Sequence, residues 1–185
     1  MSFPILETER LELNEITSSD VDAIFTIFSN PDVIEYYDTS VFTAKEQAEK
    51  LISLFTSRFE KGLGIRWAIR TKTDNLLIGT CGFNSWNANI QNTSLGYELM
   101  PSCWGRGYAQ ESVDAIIKWA FADKLPCGAI HRIQADTVPG NNASEKLLIK
   151  LGFKEEGLRR DSGYWKNEFH DLKCFGLLKT DIKDM

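Results

Sequence analysis

Apolar residues recur along the chain with two different spacings, which predict where strands and helices lie. Residues 10–15 alternate between apolar and polar positions, as in a half-buried strand. Residues 17–30 and 43–61 place apolar side chains on one helical face, as in amphipathic helices. Thr17 opens the first helix and Asn30-Pro31 ends it, while Thr43 and Glu46 form a predicted capping box for the second.

The alternating pattern returns after the second helix. Predicted strands at 66–71, 76–83 and 93–100, joined by a turn at 72–75 and a loop at 84–93, form an antiparallel meander. The remaining elements are a helix at 109–122, a strand at 131–136, a helix at 141–151, and strands at 153–160 and 168–178. This order predicts an α/β fold in which a mixed, mostly antiparallel sheet of about seven strands has helices on both faces. With 185 residues the chain is expected to be a single domain, 1–185.

The composition excludes several classes of function. Apolar residues make up 43% and charged residues 25%, as in an ordinary folded protein. The net charge of -5 argues against nucleic-acid binding, which requires clustered Lys and Arg, and is mildly compatible with a cationic substrate. No stretch resembles a signal peptide or a run of about 18 apolar residues, so we expect no membrane association.

Cysteine and histidine usage points to a reducing compartment. The four cysteines, at positions 81, 103, 127 and 174, and the two histidines have no metal-ligand spacing. So few cysteines in a chain of this size also argue against a disulfide framework. We therefore expect a cytoplasmic protein without a metal.

Candidate chemistry centres on a glycine-rich turn within residues 97–110, YELMPSCWGRGYAQ. A strand ends before Pro101, Gly105 and Gly107 follow, and a helix begins immediately afterwards. The first N–H groups of a helix lack internal partners and carry partial positive charge, so such a turn can hold a phosphate or pyrophosphate. Arg106 and Gln110 would add side-chain donors.

Two other glycine motifs do not fit this turn. The dinucleotide-binding fingerprint would require glycine where Gln110 stands, and a strand-helix-strand opening instead of a meander. The phosphate loop of nucleotide hydrolases requires a Gly-Lys pair before Ser or Thr, which the turn lacks. A purely structural turn is the alternative to phosphate binding.

Three segments together resemble the GNAT superfamily of N-acetyltransferases, and within it the Rim-type N-terminal acetyltransferases of ribosomal proteins. They are LETERLEL followed by Asp20 and NPDVIEYYD, GYELMPSCWGRGYAQESV, and HRIQADTVPGNNASEKLLIKLGFKEEGLRR. The resemblance implies acetyl-CoA as cosubstrate. It also implies that the strand ending at Met100 splays from the one containing Gln134, and that pantetheine pairs with the backbone of Leu99 and Met100.

The same resemblance implies which residues bind the pyrophosphate. The backbone groups expected to do so belong to Trp104, Gly105, Arg106, Gly107, Tyr108, Ala109 and Gln110. Most of the superfamily has Gln or Arg where this chain has Trp104, so a polar contact is replaced while the backbone cradle is kept. Trp at this place is typical of the Rim branch.

A second segment supplies the predicted proton donor. Asn141 and Ser144 match it, but Leu148 stands where many superfamily members have a tyrosine that protonates the departing thiolate. Ser144 lies one helical turn earlier on the same face, so its hydroxyl would reach the sulfur instead. The alternative is that Ser144 only packs or bonds to the backbone.

For deprotonating the amine, Glu98 is the first candidate, followed by Tyr164, His170 and Asp171 on the last two strands. An exposed, purely structural Glu98 is the alternative. We favour direct attack of the amine on the thioester, with the oxyanion held by backbone N–H near Met100. An acetyl-cysteine intermediate at Cys103 is disfavoured, since no histidine is near that residue in sequence.

The acceptor stays open among three possibilities: a protein N-terminus, a small amine such as a polyamine or aminoglycoside, or none, as in an acyl-CoA-binding sensor. A chain without an evident strong base favours an α-amine. The acceptor walls are expected at 30–41, at 84–93 and in the last strands. Four aromatic residues are candidates to line the site, although packing in the core or at the rim is favoured for each: Tyr36, Tyr37, Trp86 and Trp165.

Overall fold

In a computed structural model of the protein, which describes residues 2–123 and 128–182, all strands belong to one eight-stranded sheet. In chain order they are β1 Leu6–Glu7, β2 Leu11–Glu15, β3 Ile65–Thr71, β4 Leu77–Asn87, β5 Asn92–Leu99, β6 Arg132–Thr137, β7 Lys154–Trp165 and β8 Glu168–Leu178. Their spatial order is β1-β2-β3-β4-β5-β6-β8-β7. Only β5 and β6 pair in parallel, so the predicted mixed, mostly antiparallel sheet is confirmed. The additional strand, β1, has two residues and is too short to show alternation.

The described residues form five α-helices. They are α1 Val21–Phe28, α2 Pro31–Ile34, α3 Lys45–Glu60, α4 Tyr108–Phe121 and α5 Asn142–Lys150. The predicted capping box of α3 is one residue out of register: Gln47, and not Glu46, accepts the N–H groups of Thr43 at 2.7 Å and Ala44 at 3.0 Å. Pro31 starts the short helix α2, for which its fixed φ is suited.

The predicted loop at 84–93 is largely wrong. Strand β4 continues to Asn87, and Trp86 pairs with Thr93 of β5. A register shift between Phe83 and Ser85 interrupts the alternation, which explains why the pattern ended there. For the same reason β7 runs beyond its predicted end, since its register shifts between Arg159 and Gly163.

Helices lie on both faces of the sheet, as predicted, and each face has its own core. Trp67 of β3, fully buried, belongs to the core that includes the inward face of α4. The next residue, Ala68, belongs to the core formed with α1 and α3 on the opposite face. Among the described residues, no helix combines the length and apolar character needed to cross a bilayer.

The sheet is open between β5 and β6. The two strands pair only over Asn92–Ser94 and Arg132–Gln134. Beyond that point β5 follows β4 as far as Leu99, while β6 follows β8 as far as Thr137. The predicted splay of these strands is therefore present, and it leaves a wedge-shaped gap in the sheet.

Candidate active site

A cavity of about 570 Å³ occupies this gap. Its walls come from the end of β5, the glycine-rich turn with the start of α4, the first turns of α5, and the segment around α2. Predicted site residues in the lining are Glu98, Leu99, Trp104, Gly105, Gly107, Tyr108, Ala109, Gln110, Asn141 and Ser144. Met100 and Arg106 lie outside the lining, and the carbonyl of Arg106 accepts a hydrogen bond on the far side of the turn.

The glycine-rich turn has the shape of an anion cradle. Gly105 and Gly107 adopt φ angles of 72° and 81°, in the left-handed region that disfavours other residues. Gly107 caps α4, and the first helical hydrogen bond runs from Glu111 N–H to the carbonyl of Gly107. The N–H groups before Glu111 therefore have no partner within the helix. Free N–H groups at a helix start can hold a phosphate, and the left-handed φ of Gly107 at this point disfavours any residue with a Cβ.

Arg10 clamps the turn from outside. Its guanidinium bonds to Glu111 at 2.7 Å through Nε, donates to the Arg106 carbonyl at 2.9 Å, and lies 4.5 Å from the centre of the Tyr108 ring. Thr8 also donates to Glu111, at 2.6 Å. These contacts link the start of the chain to the turn about a hundred residues later, a distance from which sequence spacing gives no signal.

The backbone at the end of β5 differs from the prediction at one residue. Met100 N–H donates to the carbonyl of Ile78 at 2.8 Å, so it is not free to donate to pantetheine or to an oxyanion, and its carbonyl already accepts from Cys103 N–H at 2.9 Å. Because an antiparallel ladder alternates, the N–H of Leu99 faces the gap instead. The carbonyl of Leu99 accepts the Trp104 indole N–H at 2.8 Å, so Trp104 braces the strand end.

Ser144 is placed and oriented by two contacts. Its N–H donates to the side chain of Asn141, the N-cap of α5, at 3.2 Å. Its hydroxyl lies 2.6 Å from the hydroxyl of Tyr97, another lining residue, on β5. Burial raises the pKa of Tyr97 to about 12, although the Ser144 hydrogen bond opposes the increase. Leu148 is completely buried in the core and has only a packing role.

Glu98 lies in a buried polar network on the opposite face of β5. It is 6% exposed, which contradicts the exposed structural carboxylate considered from the sequence. Arg66, itself 4% exposed, and Thr80 donate to its two carboxylate oxygens. Tyr37 donates to the same carboxylate at 3.1 Å. A proton taken up by Glu98 would leave the buried Arg66 without its counter-charge, so the network favours an anchoring role over that of a base.

Tyr37 completes this network on the acceptor side of the cavity. Burial, together with the nearby Glu98 charge, raises the pKa of Tyr37 above its usual range. Tyr36 and Tyr37 both line the cavity, as the sequence suggested, whereas Trp86 and Trp165 do not. Trp165 stacks on His170 with a centroid separation of 4.1 Å.

The other predicted acid–base residues stand apart from the cavity. Tyr164, His170 and Asp171 belong to the β7–β8 hairpin and are not in the lining. Cys103 does line the cavity and is 8% exposed. Cys127 lies outside the described residues. Among the described residues, no cluster of three or more His, Cys, Asp or Glu side chains has the arrangement of a metal site.

Sequence reasoning missed three contributors to the site: Tyr97, Arg10 and the lysines of α5. Lys146 and Lys150 line the cavity one helical turn apart on α5. Their spacing of four residues is the sequence signal that could have identified them, since two cations on one helical face suit a phosphate-bearing ligand. Lys166, at the tip of the β7–β8 hairpin, donates to the carbonyl of Ile34 at 2.6 Å. That contact ties the hairpin to α2 beside the cavity.

A known protein family matches the part of the chain that contains the glycine-rich turn and the divided sheet. A family model described as an acetyltransferase (GNAT) domain covers residues 10–154. The chain belongs to this family. It is 36% identical over 177 residues to the uncharacterized N-acetyltransferase YoaA of Bacillus subtilis (strain 168), covering 96% of this chain and 98% of the relative. To the uncharacterized N-acetyltransferase p20 of Bacillus licheniformis it is 35% identical over 176 residues, covering 95% and 97%. The protein is an N-acetyltransferase whose cosubstrate is acetyl-CoA.

Solved structures confirm the GNAT fold. The ribosomal L7/L12 alpha-N-protein acetyltransferase RimL superimposes with a TM-score of 0.84 at 21% identity, covering 95% of this chain and 94% of that one. RimL has also been solved with coenzyme A, disulfide-bonded to a cysteine of that protein. The ribosomal-protein-S5-alanine acetyltransferase of Vibrio fischeri superimposes with a TM-score of 0.80 at 24% identity, covering 98% and 100%.

Proposed function

We propose that this GNAT enzyme acetylates an N-terminal α-amine, with ribosomal proteins as the first candidates. The proposal rests mainly on Glu98, the first candidate for the base, which lines the cavity but is committed to Arg66. An acceptor that is already partly neutral suits such a site. The ribosomal acetyltransferases among the structural neighbours support the same acceptor class by analogy.

Reference acidities quantify this preference. At pH 7 roughly a tenth of α-amines, with a pKa of about 7.8, are neutral, against about one in 2,000 lysine side chains. Polyamines and aminoglycosides carry amines that are mostly charged as well. An α-amine therefore requires the least help from the protein before it attacks the thioester.

The cosubstrate is assigned to the cradle and the strand end. Backbone N–H groups from Trp104 to Gln110 would hold the pyrophosphate, and Leu99 N–H would pair with pantetheine. Arg106, exposed on the turn, stays a candidate for an additional side-chain donor. Asn141 would hold Ser144 in position, and Ser144 would protonate the departing thiolate. Acetyl-CoA supplies the activated acetyl group, and we assign the whole reaction to one domain, 1–185, in the cytoplasm.

Acceptor class is tested with matched peptides. The protein is incubated with acetyl-CoA and peptides that differ only in whether the α-amine or a single lysine ε-amine is free, alongside a polyamine and an aminoglycoside. Product mass should show acetylation of the peptides with a free α-amine. Acetylation of the lysine peptide or a small amine alone would contradict the proposal, and cofactor binding with no product from any amine would support the sensor alternative.

A further inference from the structure

Two hydroxyl groups from distant parts of the chain meet at the cavity wall. Tyr97 comes from β5 and Ser144 from α5, and their oxygens are 2.6 Å apart. Both residues line the cavity, and both are partly buried. Leu148 stands on α5 where the superfamily pattern has a tyrosine, and the tyrosine hydroxyl in this region comes instead from Tyr97 on a strand.

The donors and acceptors of this pair determine which proton is available to the cavity. A phenol has one proton, and a serine hydroxyl has one proton and two acceptor sites. When Tyr97 donates to Ser144, the Ser144 proton is free to point into the cavity. The backbone N–H of Ser144 donates to the Asn141 side chain, and this bond fixes the position of the Ser144 backbone from which its hydroxyl extends.

We propose that Tyr97 and Ser144 form a proton relay, with Ser144 as the group that meets the departing sulfur and Tyr97 acting through it. This inference rests on the proposed role of Ser144. Ser144 gives its proton to the sulfur as the C–S bond breaks, and its oxygen takes the Tyr97 proton. In the same step Tyr97 takes up the proton that the acceptor nitrogen releases, so no phenolate forms at this buried position. One proton leaves nitrogen and one reaches sulfur, so the step balances without an external acid.

The surroundings of Tyr97 suit a proton donor that stays protonated. Burial raises its pKa to about 12, so the phenol is neutral throughout the physiological range. A low dielectric also strengthens hydrogen bonds that polarise one another along a chain. A Tyr97 that served only for packing would need its ring and not its hydroxyl.

Kinetics on matched variants test the relay. Tyr97→Phe keeps the ring and removes the hydroxyl, Ser144→Ala removes the second hydroxyl, and Ser144→Thr retains one. We expect Tyr97→Phe to lower kcat by on the order of 10²-fold with little change in the KM for acetyl-CoA. Ser144→Thr should recover part of the activity that Ser144→Ala loses. The double variant should be no slower than Ser144→Ala by more than a small factor, because members of one relay are not additive.

A second readout needs no acceptor. The thiol of bound coenzyme A is titrated by its thiolate absorbance in the wild-type protein and in both single variants. Hydrogen-bond donation from Ser144 should lower that thiol pKa, and Tyr97→Phe and Ser144→Ala should raise it again. Equal thiol pKa values in all three proteins, with unchanged kcat in Tyr97→Phe, would overturn the relay.

The two proposals can fail separately. If a lysine or polyamine is acetylated instead of an α-amine, the acceptor proposal fails and the same kcat comparison is made with that amine. If no amine is acetylated, the thiol titration alone decides on the relay.

Discussion

Gly107 has two constraints that act on the same atom. Its φ of 81° disfavours any side chain, and an added Cβ would lie 3.3 Å from the Arg10 guanidinium, which holds the turn from outside. We expect Gly107→Val to abolish acetyl-CoA binding in calorimetry. Gly62→Val is the matched control, since Gly62 has a φ of 64°, no neighbour within 4 Å of its Cβ position, and no place in the cavity lining. The control should lose stability but keep its affinity, and unchanged affinity in Gly107→Val would refute the cradle.

Arg10 and Glu111 support the same turn electrostatically. Burial alone would raise the pKa of Glu111, but hydrogen bonds from Thr8 and Arg10 outweigh it and lower that pKa. The stabilisation is therefore complete above the ordinary glutamate pKa of about 4.3 and is lost as the pH falls through the folded-state value.

Arg10→Gln should weaken acetyl-CoA binding, because the Arg106 carbonyl and the Tyr108 ring lose their charged partner.

In thermal unfolding, the Tm difference between wild type and Glu111→Gln should shrink as the pH falls from about 5 to about 3. A constant difference would indicate that the ion pair contributes nothing. Lys118→Gln, which breaks an exposed ion pair on the same helix as Glu111, is the control for both variants and should change the affinity for acetyl-CoA little.

A substitution at Glu98 tests whether this residue anchors the buried Arg66 or acts as the catalytic base. Glu98→Gln removes the counter-charge of a buried arginine, and breaking such a pair costs about 3 kcal/mol of unfolding free energy. We expect a clear fall in stability in urea unfolding, with turnover per folded molecule largely retained at low temperature. A variant with wild-type stability and a large loss of kcat would instead restore the assignment of Glu98 as the base.

Among the elements, α5 depends most visibly on one cap. Asn141→Ala should cost about 1 kcal/mol, as for other lost caps, and should also lower kcat because Ser144 loses the contact that positions its N–H. Asn141→Ser keeps a capping oxygen and should restore much of both properties. Turnover and urea unfolding are measured on all three proteins. Normal turnover in Asn141→Ala would mean that the cap does not position Ser144.

Element prediction succeeded where one period held without interruption. Periodicity gave the larger helices and the core strands, because each buries one regular face. It failed at Phe83 and Arg159, where register shifts break the alternation, and at β1, which has two residues. The order strand, proline, glycines, helix was sufficient to predict the glycine turn and the start of α4, because both depend on consecutive residues.

The rest of the site depends on register and on contacts between distant segments. The family resemblance implied both Leu99 and Met100 as partners of the cosubstrate, and the sequence does not show which residue of the β5 ladder faces outward. The contact between Tyr97 and Ser144 exists only because β5 and β6 diverge. Burial of Glu98 likewise depends on Arg66, which lies on β3 and is separated from β5 by β4.

At the scale of the whole molecule, the gap between β5 and β6 divides the sheet into two parts joined by three residue pairs. A ligand seated there touches β5, α4 and α5 at once. Saturating coenzyme A at about 100 times its Kd should stabilise the protein by about 2.7 kcal/mol. Amide hydrogen exchange should slow on both sides of the gap together, and protection confined to the glycine-rich turn would contradict this.

The divided sheet also has a consequence for how turnover ends. If β5 and β6 continued to pair beyond Ser94, their backbone N–H and C=O groups would bond to each other, and none would be left to pair with the cosubstrate. Because β5 and β6 stop pairing at Ser94, we expect part of the rigidity of this region to come from the bound cosubstrate and to be lost at each product release.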